Sequence, residues 1–249
     1  MKSTPALAVA ASFAAFLLAW KGVVVVGRFP AFILPPPELV LARLVRAWTE
    51  GQMTPHALAT LQEIALGFVV GVSSALVVGY GLARSALVAR LISPYIVAAQ
   101  ATPILALAPV LALWFGPGLL SKVVICALIV FFPVAVSVMV GIRSVDAGLL
   151  ELGRSLRATR RQVLLTLEIP AALPSIFGGL RVGITLAVVG AVVGEWAGAA
   201  RGLGVLVNLA RGSLFDIPLM FGALVTIAGI GVALYLVVVL CERRFVGAR

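Results

Sequence analysis

Six runs of about twenty apolar residues dominate this sequence, at 7–26, 58–83, 91–115, 119–142, 176–198 and 219–241. A helix needs roughly 20 consecutive apolar residues to cross a bilayer's hydrocarbon core. A 249-residue chain cannot hide six such helices at the centre of a water-soluble domain. Composition points the same way: 62% of residues are hydrophobic and 11% charged, against about 45–50% and about 25% in soluble domains. The expected fold is all-α: a polytopic membrane protein of six transmembrane helices, forming one domain over 1–249. The first run follows a basic start and could be read as a signal peptide. It is longer than a typical signal core, and Lys21 interrupts it, so it is taken as a retained span.

The third run contains Pro94, Pro103 and Pro109, which predicts a kinked or broken helix. A break at membrane depth is tolerated where protein covers the freed backbone groups or where they line a watery path. Gln100, just before Pro103, adds an amide that both donates and accepts hydrogen bonds, which fits a passage for a polar, uncharged ring. Glu195 is an ionisable group near the far end of the fifth run. It belongs either to an outer gate or to an end-of-helix carboxylate satisfied by Arg201 or water. Residues 39–50 form an amphipathic helix after the stiff Pro35-Pro36-Pro37. Leu41, Leu44, Val45 and Trp48 share its apolar face, which predicts a helix lying on the membrane surface.

The net charge of +10 raises nucleic acid as a partner, but no basic run is interleaved with aromatics as single-strand binders require. Lys and Arg instead crowd the ends of membrane helices. With the N-terminus inside, 12 of the 19 basic residues fall on the cytoplasmic side, Arg84, Arg90, Arg143 and the cluster at 154–161 among them. The other seven, including Lys122, fall outside, so both termini are expected in the cytoplasm. His56 is the only histidine, and Cys126 and Cys241 are the only cysteines. Neither a metal-ligand set nor a disulfide framework can be built from these. Ser73 and Ser74 have no histidine within a span to act as base, so an intramembrane protease is disfavoured. No enzyme activity and no cofactor are expected.

Between the fourth and fifth runs lies a charged segment, 143–175. Within it, Glu151, Arg154, Arg160 and Arg161 give polar handles while Leu152, Leu156, Val163 and Leu164 give an apolar face. Such a helix can seat in a cleft on a soluble partner and pass its motion to the adjoining spans, or lie on anionic lipid.

That segment resembles the cytoplasmic signature of permease subunits of bacterial ATP-binding-cassette (ABC) importers: EAA, three residues, G, nine residues, I-x-L-P. Glu151 takes the acidic position, Leu152 and Gly153 replace the alanines, and Arg157 replaces the glycine. Ala158, Leu167, Ile169, Pro170 and Pro174 continue the pattern. Because arginine adopts a positive φ only at a cost, the turn is expected to survive in a helical or bridge conformation. The segments Gln100–Pro109, Phe131-Phe132-Pro133 and Gly194-Glu195-Trp196 resemble the branch importing nitrate, sulfonates and taurine, and within it permeases for hydroxymethylpyrimidine-type precursors and riboflavin. The resemblance implies a type I importer fold in the bacterial inner membrane. It implies separate ATPase subunits that bind the ATP, an extracytoplasmic substrate-binding protein and a second permease copy, as in a homodimer. It also implies coupling through Glu151, Gly153, Arg154, Arg157, Ala158, Arg160, Arg161, Ile169, Pro170 and Pro174, and a translocation path including Gln100, Pro103 and Glu195. An ATP-independent secondary transporter is the rival reading; inverted repeats, expected of many such carriers, are not evident.

Overall fold

The computed structural model of the protein describes residues 4–247, and among these all regular structure is helical. In chain order the helices are α1 (Thr4–Gly27), α2 (Pro37–Thr49), α3 (Met53–Arg84), α4 (Ala86–Ala101), α5 (Ile104–Phe115), α6 (Leu119–Arg143), α7 (Ala147–Ser155), α8 (Arg160–Val163), α9 (Ile169–Trp196), α10 (Leu203–Arg211) and α11 (Ile217–Val246). Among the described residues five spans are long and apolar enough to cross a membrane, and the pair α4 and α5, bent by 95° at its break, adds a sixth if the two together form one span.

α3, α6 and α9 form the core, and glycine decides how closely they approach. A Cβ on Gly71 would stand 2.8 Å from the Ala127 carbonyl oxygen and 2.9 Å from Val130 Cβ. Small residues at such contacts let backbones pack where lipid supplies no hydrophobic drive between helices. Ile64, Val130, Val134, Ala187 and Ala191 fill the seam. α11 lies against α9, and a second apolar cluster joins Ala47 of α2 and Met53 of α3 to α10 and Leu219. α1 stands outside this body: apart from Val24 it is largely exposed, and Trp20 packs at a tilt against Phe221 of α11 with 5.7 Å between ring centroids.

The structure sharpens three sequence expectations. The third run does break, and the break falls at Thr102-Pro103; Pro94 and Pro109 remain inside helices. α2 does not merely rest on a surface. Val40, Leu44 and Ala47 turn inward while Leu41, Val45 and Trp48 stay exposed. Arg43 reaches Asp216, at the start of α11, over 2.7 Å. Lys122, expected at the outer end of the fourth run, does lie in the first turn of α6, but it is 1% exposed and not solvated.

Candidate functional site: coupling segment, broken helix and outer clasp

The charged segment folds as two short helices across a tight turn. α7 ends at Ser155, and Arg157 takes φ 54°. The amide of Ala158 then donates to the carbonyl of Gly153 over 2.9 Å, closing the six-residue loop that ends many helices. This corrects the helical or bridge conformation expected for Arg157. The loop needs a left-handed residue at that point, and arginine supplies it at a cost of about 1–2 kcal/mol. Gly153 is buried, and a Cβ there would meet Leu167 at 3.3 Å and Val163 at 3.5 Å, so its lack of side chain lets α7 close over α8 and the turn that follows it. Thr159 caps α8 in a reciprocal box with Gln162.

Leu164–Glu168 then winds as a π-helical turn before α9, with the Ile169 amide reaching back five residues to Leu164. Pro170 has no N–H to give Thr166, which removes the bond an ordinary α-turn would form there. Pro170 and Pro174 are exposed, Ile169 half-buried, and Ala158 half-buried under the turn. Glu151, Arg157, Arg160 and Arg161 are exposed on the same end of the molecule, together with Leu152 and Leu156; the Arg154 side chain lies outside the described residues.

Sequence reasoning missed Glu168. Its side chain is 3% exposed, and Arg84, at the end of α3, donates to it over 2.8 Å. Arg84 also donates to Tyr80 Oη, at 2.7 and 2.8 Å. Together these groups tie the turn to α3 beside a cavity of about 700 Å³, which Ala158 and Arg160 also line. The available signal was an acid within an apolar run just before a proline.

At the α4–α5 break, Gln100 and Pro103 line one cavity of about 400 Å³, closed on its far side by Ile129, Phe132 and Pro133 of α6. Phe132 lies 13 residues into α6, about 20 Å from its start at the helical rise per residue, so the cavity sits near the helix midpoint. Glu195 stands apart from this cavity.

Glu195 is 1% exposed at the opposite end of α3 from Arg84. Thr60 donates to it over 2.5 Å and the Gly204 amide donates to its other oxygen. Thr60 in turn accepts from the Leu203 amide over 2.8 Å. His56 Nδ1 lies 2.8 Å from Gly202 O and 3.1 Å from Gly202 N, and its tautomer decides which bond it makes. Lys122 bonds the carbonyls of Pro117 and Gly198, the latter over 3.0 Å. These contacts clasp the loop after α9 onto α3 and α6. No ion pair joins Glu195 to Arg201 among the described residues. Glu63 is buried beside the clasp. Among the described residues, no group of His, Cys, Asp or Glu could hold a metal.

The described residues thus form a bundle of apolar helices with a charged helical turn at one end and a break between α4 and α5 beside the middle of α6. Residues 67–247 match the family described as binding-protein-dependent transport system inner membrane component, and the chain belongs to it. Among its relatives is the riboflavin transport system permease protein of Chloroflexus aurantiacus, 44% identical over 97% of this chain and 90% of that one. The formylaminopyrimidine transport permease protein of Halalkalibacterium halodurans is 34% identical over 81% of this chain and 80% of its own length. The taurine transport system permease protein of Escherichia coli is 32% identical over 94% and 86%. A solved chain from an amino acid ABC transporter, 22% identical, superposes with a TM-score of 0.60 over 79% of this chain and 97% of that one, which supports the fold. The protein is therefore a multi-pass ABC-importer permease, not an enzyme, that works with an ATPase and a substrate-binding protein.

Proposed function

We propose that this permease imports a neutral heteroaromatic compound, riboflavin or a pyrimidine precursor of thiamine, as a homodimer in which each copy supplies half of one passage. The observation that carries the reading is the 44% identity, over nearly the full chain, to a permease named for riboflavin transport. The cavity at the α4–α5 break supports it, because no charged side chain among the described residues lines it. The relative named for taurine transport keeps a second reading alive. A sulfonate carries a fixed charge, however, and a charge in an uncompensated site at membrane depth costs several kcal/mol.

In this reading ATP binding draws two ATPases together, and each carries a docked α7–α8 unit with it. Glu151, Gly153, Arg154, Arg157, Ala158, Arg160 and Arg161 form or shape the docking face, while Ile169, Pro170 and Pro174 begin the helix that moves. The exposed Leu152 and Leu156 supply its apolar part. Gln100 and Pro103 border the passage, and Glu195 holds the outer loop as part of the external gate. Each partner acts by binding one conformation more tightly than the other. Both termini lie in the cytoplasm, on the side of the α7–α8 unit.

The test is uptake into proteoliposomes holding the permease, its ATPase and its binding protein. Riboflavin or a thiamine precursor should accumulate only with ATP, and taurine and nitrate should not. Accumulation without nucleotide would point instead to a secondary carrier, and taurine uptake to the sulfonate branch.

A further inference from the structure

Three separate features leave polar backbone groups open around the same mid-helix cavity. α4 ends at Ala101, so the carbonyls of Gln100 and Ala101 have no following turn to bond within α4. α5 begins at Ile104; the Ala106 amide donates to the Pro103 carbonyl over 2.9 Å, and the amides of Ile104 and Leu105 have no preceding turn to bond. Pro133 lies inside α6 and has no N–H, so the carbonyl of Ile129 loses the donor four residues on. Ile129, Pro133, Gln100 and Ile104 all line the cavity. Such groups persist at membrane depth only where something polar meets them. The side chains lining the cavity add two hydrogen-bonding groups, the Gln100 amide and the Thr102 hydroxyl, the latter already donating to the Ala98 carbonyl over 3.0 Å, and one aromatic ring, Phe132, which rests edge-on against Phe131 with centroids 5.2 Å apart.

We propose that Gln100 and Phe132 form the selectivity site for a planar ring carrying a cyclic amide or imide edge, with Phe132 stacking on the ring. A primary amide presents a C=O acceptor beside an N–H donor, the complement of a ring N–H beside a ring C=O. The Ile129 carbonyl offers a second acceptor on the facing helix. The absence of a lining charge excludes anions without any repulsive residue, because an anion entering here loses hydration and gains no counter-ion. This inference rests on the heteroaromatic reading above and assigns it to specific atoms.

The experiment uses the complete importer in proteoliposomes, with radiolabelled riboflavin and 3-methylriboflavin, whose imide N–H is replaced by a methyl group. Uptake and ATP hydrolysis stimulated by loaded binding protein are measured for wild type, Gln100→Leu and Phe132→Leu. Gln100 is exposed at the break in the isolated chain, and Gln100→Leu should lower riboflavin uptake about tenfold, the upper end of what one hydrogen-bond partner contributes. Stimulated hydrolysis should stay within about twofold of wild type, as expected if binding-protein docking is intact and only passage is lost. Wild type should take up the methylated compound about tenfold less well, and Gln100→Leu should add little further loss, because the two changes remove the same bond. Phe132→Leu should lower uptake of both compounds equally. Riboflavin uptake untouched by Gln100→Leu, or a methyl penalty undiminished in that variant, overturns the site while leaving the importer reading standing. If wild type moves no riboflavin while its own binding protein still stimulates hydrolysis, the riboflavin reading falls and this site with it.

Discussion

The Arg84–Glu168 pair should respond unequally to loss of its two partners, because the two ends differ in exposure. The Glu168 side chain is 3% exposed and that of Arg84 43%. Breaking a fully buried pair by deleting one partner costs about 3–5 kcal/mol, because the remaining charge is stranded. Arg84→Ala strands the buried carboxylate, and water reaching through the half-open side of the pair reduces the cost to about 2–3 kcal/mol. Glu168→Ala leaves a guanidinium that already touches solvent and keeps its Tyr80 bonds, so its cost should be about 1 kcal/mol, nearer that of a surface pair. Exchanging the two residues should not restore stability, since the cation would then occupy the buried position. Denaturant unfolding of the purified protein in one detergent gives the differences directly. Equal costs, a larger cost for Glu168→Ala, or full rescue by the exchange would refute the argument. The same variants in the assembled importer should hydrolyse ATP with reduced uptake, since the pair links the turn to α3.

Arg157→Gly should stabilise the protein by about 0.5–1 kcal/mol: relief of a left-handed arginine less the greater chain entropy of glycine. Arg157→Ala, which keeps the Cβ penalty, should not stabilise, and equal stability of the two variants in unfolding titrations would refute the strain. Gly71→Val should cost about 3 kcal/mol or more, since its side chain meets the Ala127 carbonyl on a backbone that cannot yield; normal expression and unfolding would contradict the packing. The Glu38 carboxyl is held below its ordinary value of 4.5, first by a backbone amide at the start of α2 and then by Lys21, 3.1 Å away. A depressed carboxyl stabilises the folded state above its unfolded-state pKa and loses that contribution as pH falls through the folded one. Wild type should therefore exceed Glu38→Gln in stability from neutrality down to about pH 4.5, with the gap closing below it; a gap that widens on acidification would reverse the assignment.

Hydrophobic run length made the spans legible, because lipid imposes a requirement on every residue along the run. The position of the break was not legible, because Pro94, Pro103 and Pro109 are equal in sequence. Thr102 separates them in the structure: its hydroxyl takes up the Ala98 carbonyl over 3.0 Å, and the chain leaves the helix there. Gln100 and Pro103 were readable as neighbours across that break. Phe132 and Ile129, supplied by another helix, required the fold. Lys122 reads from sequence as a cation at the outer end of a span, where charge usually means solvent; its burial is hidden because its two carbonyl acceptors come from loops 5 and 76 residues away in sequence. Glu168 was hidden for a similar reason, since its partner lies 84 residues earlier. The conformation at Arg157 was misjudged because intrinsic φ preference was weighed without the hydrogen bond that closes the loop.

The widened turn at Leu164–Glu168 sets the mechanical character of everything beyond it. A rod bends where its lateral ties are fewest, and here a proline has removed one tie for good. Tightening the coil would regain nothing at that point, so the weak spot cannot heal. In the proposed coupling, a push on α7 and α8 would turn about this point, and Pro174, one turn further along α9, is the next place where the shaft can yield.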